Sequence, residues 1–434
     1  MSVEIKSVAV IGGGTMGSGI AAICAAAGRA VLLLETDAAA AQKALGRALA
    51  TAQSPEEKTL MEGLIRTGTV AEDLAQIAGY DWICEAIIED LEAKQALFAK
   101  IEPLRRAGSV VSTNTSGIPL RDITAGLPDS LRRDIVVTHF FNPVRVMRLL
   151  EIIPGADTTP QARDALAHFC REVLGKGVVY AKDTVNFIGN RIGCFWMLAG
   201  LHKAKQADGL SMETIDALMG APVGLPSTGL YGLIDLIGLD VMDFVGKNLA
   251  VNLPQGDAGQ AFTAFPATEQ AMLERGQLGR KSGGGFYRVL KQADGSKLKE
   301  VFDLTAQAWR TVQPATLAAA HAEARDLIFA DDAEGRFTWD LMGGTLLYAA
   351  ELVPDISDDV VNVDRAMRWG FAWTRGPFEL LDQIGPARVI ARLEAAGQPL
   401  PKMLAVLKAA GAESFYRDGQ FLGTDGQYHA VPAE

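Results

Sequence analysis

The sequence predicts an α/β doubly wound, mostly parallel sheet, followed by an all-α region that contains two related helical domains. Three observations carry that expectation. The apolar run Val8–Ile11 leads directly into a glycine turn and then an alanine-rich helix. Further apolar runs at Val31–Leu34, Trp82–Cys84, Val110–Ser112 and Ile135–Val137 alternate with helical stretches, which is the rhythm of strands buried on both faces. Beyond Asn186 the periodicity becomes helical, and Asp216–Gly238 recurs as Asp364–Gly385. With 434 residues the chain exceeds what one core supports. The expected division is an α/β domain over 1–185, a first helical domain over 186–290, a helical connector over 291–330, and a diverged second helical copy with a tail over 331–434.

Net charge of -11 and a pI near 5.1 argue against a nucleic-acid partner or a polybasic membrane anchor, both of which need a clustered positive field. A phosphate-bearing ligand must therefore be held by local groups. No apolar span of membrane length occurs and Met1–Lys6 lacks the regions of a secretory signal, so no membrane insertion and a cytoplasmic setting are expected. Cys24, Cys84, Cys170 and Cys194 are scattered through apolar surroundings without metal-ligand spacing, as reduced core thiols are.

Taken in order, Val8–Ile11 is a buried strand and Gly12-Gly13-Gly14-Thr15-Met16-Gly17 its turn into the helix. Gly12 permits the tight turn, Gly14 lets the backbone approach a pyrophosphate, and Gly17 allows close helix packing, while the helix N-terminus offers N–H groups and partial positive charge. A GxGxxG alone is weak; its context here is the signal. The second strand, Val31–Leu34, ends in Glu35, where a ribose-binding acid is expected. With no arginine close behind, Glu35 should bond a 2'-hydroxyl and repel a 2'-phosphate, which favours NAD over NADP.

Ala38–Gly68 reads as a charged, mostly helical excursion in which Ser54-Pro55 starts a helix. Lys58 and Arg66 within it could meet phosphates, although a solvated helix face is the ordinary reading of such charges. Trp82-Ile83-Cys84 then leads to Glu85–Asp90 and a helix with Lys94, making Glu89 and Lys94 candidate cofactor contacts at the carboxyl edge of the sheet. Two further strands end in polar residues, one in Thr113-Asn114-Thr115-Ser116 and one in His139. Ligands of open parallel sheets bind at such ends.

His139 is one of five histidines, and a core histidine satisfied by a carbonyl is its ordinary reading. Its company changes that. Ser116 ends one strand, Asn142 follows closely, and Glu151 ends Met147–Leu150, a segment able to run back toward the ring. A carboxylate beside an imidazole orients it, fixes its tautomer and stabilises the cation formed when it takes a proton.

GGGTMGSGIA at 12–21, EAIIED at 85–90, STNTSG at 112–117, THFFNPV at 138–144, EII at 151–153 and GKGVVYAKDTVNFIGNRIG at 175–193 resemble the NAD-dependent L-3-hydroxyacyl-CoA dehydrogenases of fatty-acid β-oxidation. The resemblance runs from residue 3 to about 287. It implies His139 as general base, Glu151 as its orienting carboxylate, and Ser116 and Asn190 as groups that hydrogen-bond the reacting substrate. It implies NAD contacts from Gly12, Gly14, Thr15, Met16, Gly17, Glu35, Glu89, Lys94, Asn114 and Asn142, and an acyl-CoA substrate. Gly117, where many relatives carry a second serine, and Glu35, where aspartate is commoner, are small departures.

Ile188–Gln206 reads as a long buried helix with Asn190 and Arg191 in its first turns. The second copy places only Phe337, Thr338 and Trp339 where Asn190 should fall, so the first copy is expected to be catalytic and the second to serve packing. Lys281–Tyr287 reads as a structural turn closing the minimal substrate domain. The duplication and the tail from Ser414 resemble the long form of the family, in which the dehydrogenase is fused to an enoyl-CoA hydratase. The hydratase, fused or separate, is thus an expected partner, and the helical copies an expected homodimer or pseudo-dimer surface. Two other readings stand beside this one: a dehydrogenase of free 3-hydroxy acids, which commonly uses a lysine base, and a non-catalytic NAD-binding relative.

Overall fold

The computed structural model describes residues 4–207 and 209–434. The chain divides into two compact units, one running to Ile188 with Asp355–Asp358 and Ala433–Glu434, the other comprising Gly189–Pro354 and Asp359–Pro432. The first unit closes at Ile188 rather than at 185.

In the first unit eight strands form one sheet in the order β3-β2-β1-β4-β5-β6-β7-β8. They are β1 Ser7–Ile11, β2 Ala30–Glu35, β3 Ile65–Thr69, β4 Trp82–Glu85, β5 Val110–Thr113, β6 Ile135–Phe140, β7 Leu149–Pro154 and β8 Gly177–Tyr180. Every pairing is parallel except β6 with β7. Chain reversal at the switch from β1 to β4 is the doubly wound pattern that collects ligand-binding ends on one edge. β4, β5 and β6 are buried throughout, which is why they read as unbroken apolar runs. β3 was not foreseen: Ile65-Arg66-Thr67-Gly68-Thr69 is an edge strand in which only Ile65 is buried, so pairing with β2 rather than its own pattern makes it a strand.

The flanking helices begin where the sequence supplies caps. Asp37 accepts from Ala40 N–H, Ser54 from Glu57 N–H with Pro55 in the first turn, and Asp90 from Ala93 N–H. Polar groups inside this core are paired: Trp82 Nε1 donates to Ser112 Oγ at 2.9 Å and Thr138 Oγ1 to the same oxygen at 2.8 Å. All four cysteines are free and buried, and burial pushes the Cys84 and Cys194 thiols up to about 12, which leaves them unreactive. Among the described residues no helix is long and apolar enough to cross a membrane.

The second unit is mainly helical. Its first helix, Gly189–Ala204, is buried at every residue from Arg191 to Leu201, as an all-round apolar helix must be. The internal repeat appears as two copies of one polar lattice. Asp216, before the Gly229–Ile237 helix, accepts from Tyr231 N–H at 2.7 Å and from Tyr287 Oη–H at 2.8 Å. Asp364, before the Pro377–Ile384 helix, accepts from Phe378 N–H at 2.8 Å and from Tyr416 Oη–H at 2.7 Å. One turn later Asp235 accepts from the N–H groups of Phe286 and Tyr287, and Asp382 from those of Phe415 and Tyr416. Gly229 and Gly376 are required in both copies, because a Cβ there would lie 2.5 Å and 2.2 Å from the Cα of Asp216 and Asp364. The repeat therefore extends to the Phe-Tyr pairs at 286 and 415.

The region is not purely α, and the connector is not a helical one. β9 Tyr287–Lys291, β10 Lys297–Asp303 and β11 Ala308–Thr311 form an antiparallel sheet over much of 291–330, ahead of the short helical turns Ala319–His321 and Ala324–Leu327. The alternation in Lys297-Leu298-Lys299-Glu300-Val301 and the turn at Asp294-Gly295 are strand and hairpin signals that charge had masked. A second small sheet, β12 Tyr416–Arg417, β13 Gln420–Leu422 and β14 Tyr428–Ala430, occupies the same place after the second copy.

The lattice makes stability depend on pH. Burial raises the Asp216 and Asp235 carboxyls to about 7 and about 6, against the pull of their hydrogen-bond donors, from roughly 3.9 in an unfolded chain. A raised folded-state value favours the protonated form, so this stabilisation is complete below about pH 4 and is lost as pH rises through 6 and 7. The melting temperature of the helical unit should fall from pH 5 to pH 8, and Asp216→Asn should flatten that slope. An unchanged slope in the variant would refute the assignment.

Candidate functional site

β6 and β7 set the centre of the site. Their antiparallel register places His139 opposite Glu151, and paired residues project from the same face. His139 Nδ1 lies 2.6 Å from Glu151 Oε2, and the other carboxylate oxygen accepts the Ile188 N–H at 3.1 Å. Glu151 is fully buried and His139 is 3% exposed. A carboxylate can only accept, which assigns the proton of the neutral ring to Nδ1 and leaves the Nε2 lone pair toward Ser116 Oγ, 3.0 Å away. The rings of Phe141 and Phe187 pack against the imidazole, with centroids at 4.6 Å and 5.4 Å. The first unit thus brings together three of the four expected catalytic side chains. Asn190 lies in the first turn of the Gly189–Ala204 helix of the second unit and is half-buried.

Ser116 is exposed, and its loop is fixed from below. Glu89 Oε1 accepts from Thr115 Oγ1–H, from Ser116 N–H at 2.9 Å and from Gly117 N–H at 3.0 Å. Burial works to raise the Glu89 carboxyl, but the Lys94 ammonium and these donors outweigh it and hold it below the usual range. Lys94 is 1% exposed, and its ammonium bridges Glu85 at 2.8 Å and Glu89 at 3.2 Å. Lys94 thus stands beneath the Ser116 loop, at the strand end where the sequence places a cofactor contact. Glu85 is fully buried and needs a counter-ion, and Lys94 supplies it from the next helix. Glu85, a residue the sequence left without a role, also accepts from Thr113 Oγ1–H at 2.6 Å.

The dinucleotide turn follows β1. Gly12 has φ +96°, and a Cβ there would fall 2.5 Å from Ala86 O. A Cβ on Gly17 would fall 1.8 Å from Gly12 O, so only glycine lets the helix enter this close to the turn. No atom lies within 4 Å of a Cβ built on Gly14, and Gly14 and Thr15 are exposed with Met16 half-buried. No side chain caps the Thr15–Ala26 helix, whose N-terminal N–H groups are left for a ligand. These residues fit a pyrophosphate. Glu35 stands beside the turn, accepting from Gly13 N–H at 2.8 Å and from Thr36 N–H at 2.9 Å. Arg47 is an unforeseen neighbour that donates to Gly13 O and, at 3.4 Å, to Ser18 Oγ. Its place in an alanine-rich helix gave no signal. Asn114 Oδ1 accepts from Phe140 N–H at 3.0 Å, tying the ends of β5 and β6 together, while Asn142 is exposed just beyond β6.

A glycine turn at the switch point of a doubly wound sheet, with a carboxylate–imidazole–hydroxyl chain on the same edge, defines a dinucleotide-binding module of dehydrogenase type. Residues 7–184 match the NAD binding domain of 3-hydroxyacyl-CoA dehydrogenase, and residues 187–289 match the C-terminal domain. The chain belongs to the 3-hydroxyacyl-CoA dehydrogenase family, and its cofactor is NAD. It is 35% identical to a probable 3-hydroxyacyl-CoA dehydrogenase of Bacillus subtilis over 99% of this chain and 58% of that one. It therefore spans little more than half the length of that relative. A probable 3-hydroxyacyl-CoA dehydrogenase of Deinococcus radiodurans is 35% identical over 66% of this chain and 84% of its own. Among solved structures, 3-hydroxybutyryl-CoA dehydrogenase of Escherichia coli shares the fold with TM-score 0.70 at 23% identity, covering 94% of this chain and 98% of that one.

Proposed function

We propose that the chain oxidises L-3-hydroxyacyl-CoA to 3-ketoacyl-CoA with NAD, as a step of fatty-acid β-oxidation. The observation that carries this reading is the Glu151–His139–Ser116 chain, with 2.6 Å and 3.0 Å links, in a chain of this family. Bound NAD supplies the hydride acceptor for C3. His139 Nε2 takes the proton of the 3-hydroxyl, and Glu151 offsets the charge that appears on the ring. The reverse reaction starts from protonated His139. Ser116 and Asn190 hydrogen-bond the substrate oxygen and fix C3 for transfer.

Gly12, Gly14, Thr15, Met16 and Gly17 hold the pyrophosphate in this reading, and Glu35 takes the ribose 2'-hydroxyl. Glu89, Lys94, Asn114 and Asn142 serve the nicotinamide half. The paired helical copies of one chain stand in for a homodimer. An enoyl-CoA hydratase, fused or separate, supplies the 3-hydroxyacyl-CoA, and the buried, reduced cysteines suit a cytoplasmic setting.

Steady-state rates with acetoacetyl-CoA and free acetoacetate, each with NADH and NADPH, test this. Oxidation of NADH by acetoacetyl-CoA is expected to exceed the other three combinations by roughly 100-fold or more, since binding of the remote CoA portion contributes to turnover. Faster reaction of acetoacetate would favour a free-acid dehydrogenase. NADH binding without turnover would favour a non-catalytic relative.

A further inference from the structure

The second helical copy lacks the asparagine of the first. At the corresponding helix, Thr338 is fully buried and its hydroxyl donates to Glu334 O at 2.8 Å within its own turn, so it offers nothing to a ligand. The copy nevertheless sends one polar side chain to the opening turn of the Gly189–Ala204 helix. Arg191, next to Asn190 and 3% exposed, donates from Nε to Tyr348 Oη at 2.7 Å and pairs through Nη2 with Asp257 at 2.6 Å. Tyr348 Oη–H donates in turn to Asp257 Oδ1 at 2.9 Å, and the Tyr348 ring stacks on Phe195 with centroids 4.0 Å apart. The ring of three hydrogen bonds is closed and desolvated, and each member satisfies the other two.

Further contacts of the second copy with this helix are apolar. A Cβ on Gly193 would fall 2.1 Å from the Phe371 ring, and Trp196 meets Trp373 edge to face at 6.4 Å. These contacts fix the position of the helix. The Arg191–Tyr348–Asp257 ring anchors its first turn, where Asn190 sits. Tyr348 is thus placed to govern the direction of the Asn190 amide from a copy that carries no substrate-binding asparagine of its own.

We propose that Tyr348, through Arg191, is a positioning residue for Asn190, and that the second helical copy contributes to turnover by this contact as well as to stability. The inference rests on the reading of Asn190 as a substrate contact. Tyr348→Phe keeps the stack on Phe195 and deletes only the hydroxyl. In the full chain it should lower kcat with acetoacetyl-CoA by roughly 10- to 100-fold, the scale of an ångström-sized misplacement. KM for NADH should stay unchanged, a split that a merely structural role would not produce. In a double-mutant cycle, adding Tyr348→Phe to Asn190→Ala should cause no further loss, because the two act as one unit.

Full additivity, or wild-type kcat in Tyr348→Phe while Asn190→Ala is impaired, would overturn the positioning role and leave the reading of Asn190 standing. Wild-type kcat in Asn190→Ala would overturn that reading, and the inference with it. Should Tyr348→Phe fail to fold by circular dichroism, Asp257→Asn probes the same ring and carries the same expectations.

Discussion

His139→Gln is expected to reduce turnover with acetoacetyl-CoA by at least about 100-fold, the usual floor for losing an acid–base group. Affinity for NADH should be unchanged. Glutamine is nearly as large as the imidazole and stays polar, so it disturbs the packing against Phe141 and Phe187 little, but it has no basic nitrogen to offer the 3-hydroxyl. A loss of this size with intact NADH binding separates proton transfer from cofactor binding. Turnover near the wild-type value in this variant would remove His139 from the chemistry.

Glu151→Gln should be comparably damaging to turnover and harder on the fold. The carboxylate accepts from His139 Nδ1–H on one oxygen and from Ile188 N–H on the other, and it is fully buried. A carboxamide has one acceptor oxygen, so one of the donors must face an NH2 group. Leaving a buried donor unpaired costs about 1–3 kcal/mol, and the imidazolium formed during turnover loses its counter-charge. A roughly 100-fold or greater loss of kcat is expected, as for other carboxylate–imidazole couples, together with a lowered melting temperature. If melting falls while kcat per folded molecule is preserved, Glu151 is a structural acceptor and no more.

Much of this site was legible because it sits where parallel strands end. β4, β5 and β6 are apolar runs that lead into polar residues and β1 leads into the glycine turn, and such runs need both faces covered, so the parallel sheet and the edge its loops share were legible. The His139–Glu151 pair followed from Met147–Leu150, the apolar segment that runs back toward the ring. What the sequence hid was register and depth. Lys94 read as a cofactor contact from its place after a strand end, while its ion pairs with the buried Glu85 and with Glu89 could not be read from spacing. β3 and the sheet from Tyr287 to Thr311 were missed for a related reason. Charge or glycine in these strands masked what alternation they carry, and pairing fixes their conformation. The contact of Tyr348 with Arg191 spans 157 positions and leaves no trace in local pattern.

The central claim is that hydride moves between the nicotinamide and C3 of a CoA thioester. Deuteride labelling tests it most directly: the full chain is incubated with acetoacetyl-CoA and NADH carrying deuterium at both C4 positions, and the product is analysed by mass spectrometry and chiral chromatography. The account predicts L-3-hydroxybutyryl-CoA with a single deuterium at C3. Unlabelled product, the D isomer, or no reduction at all would contradict it.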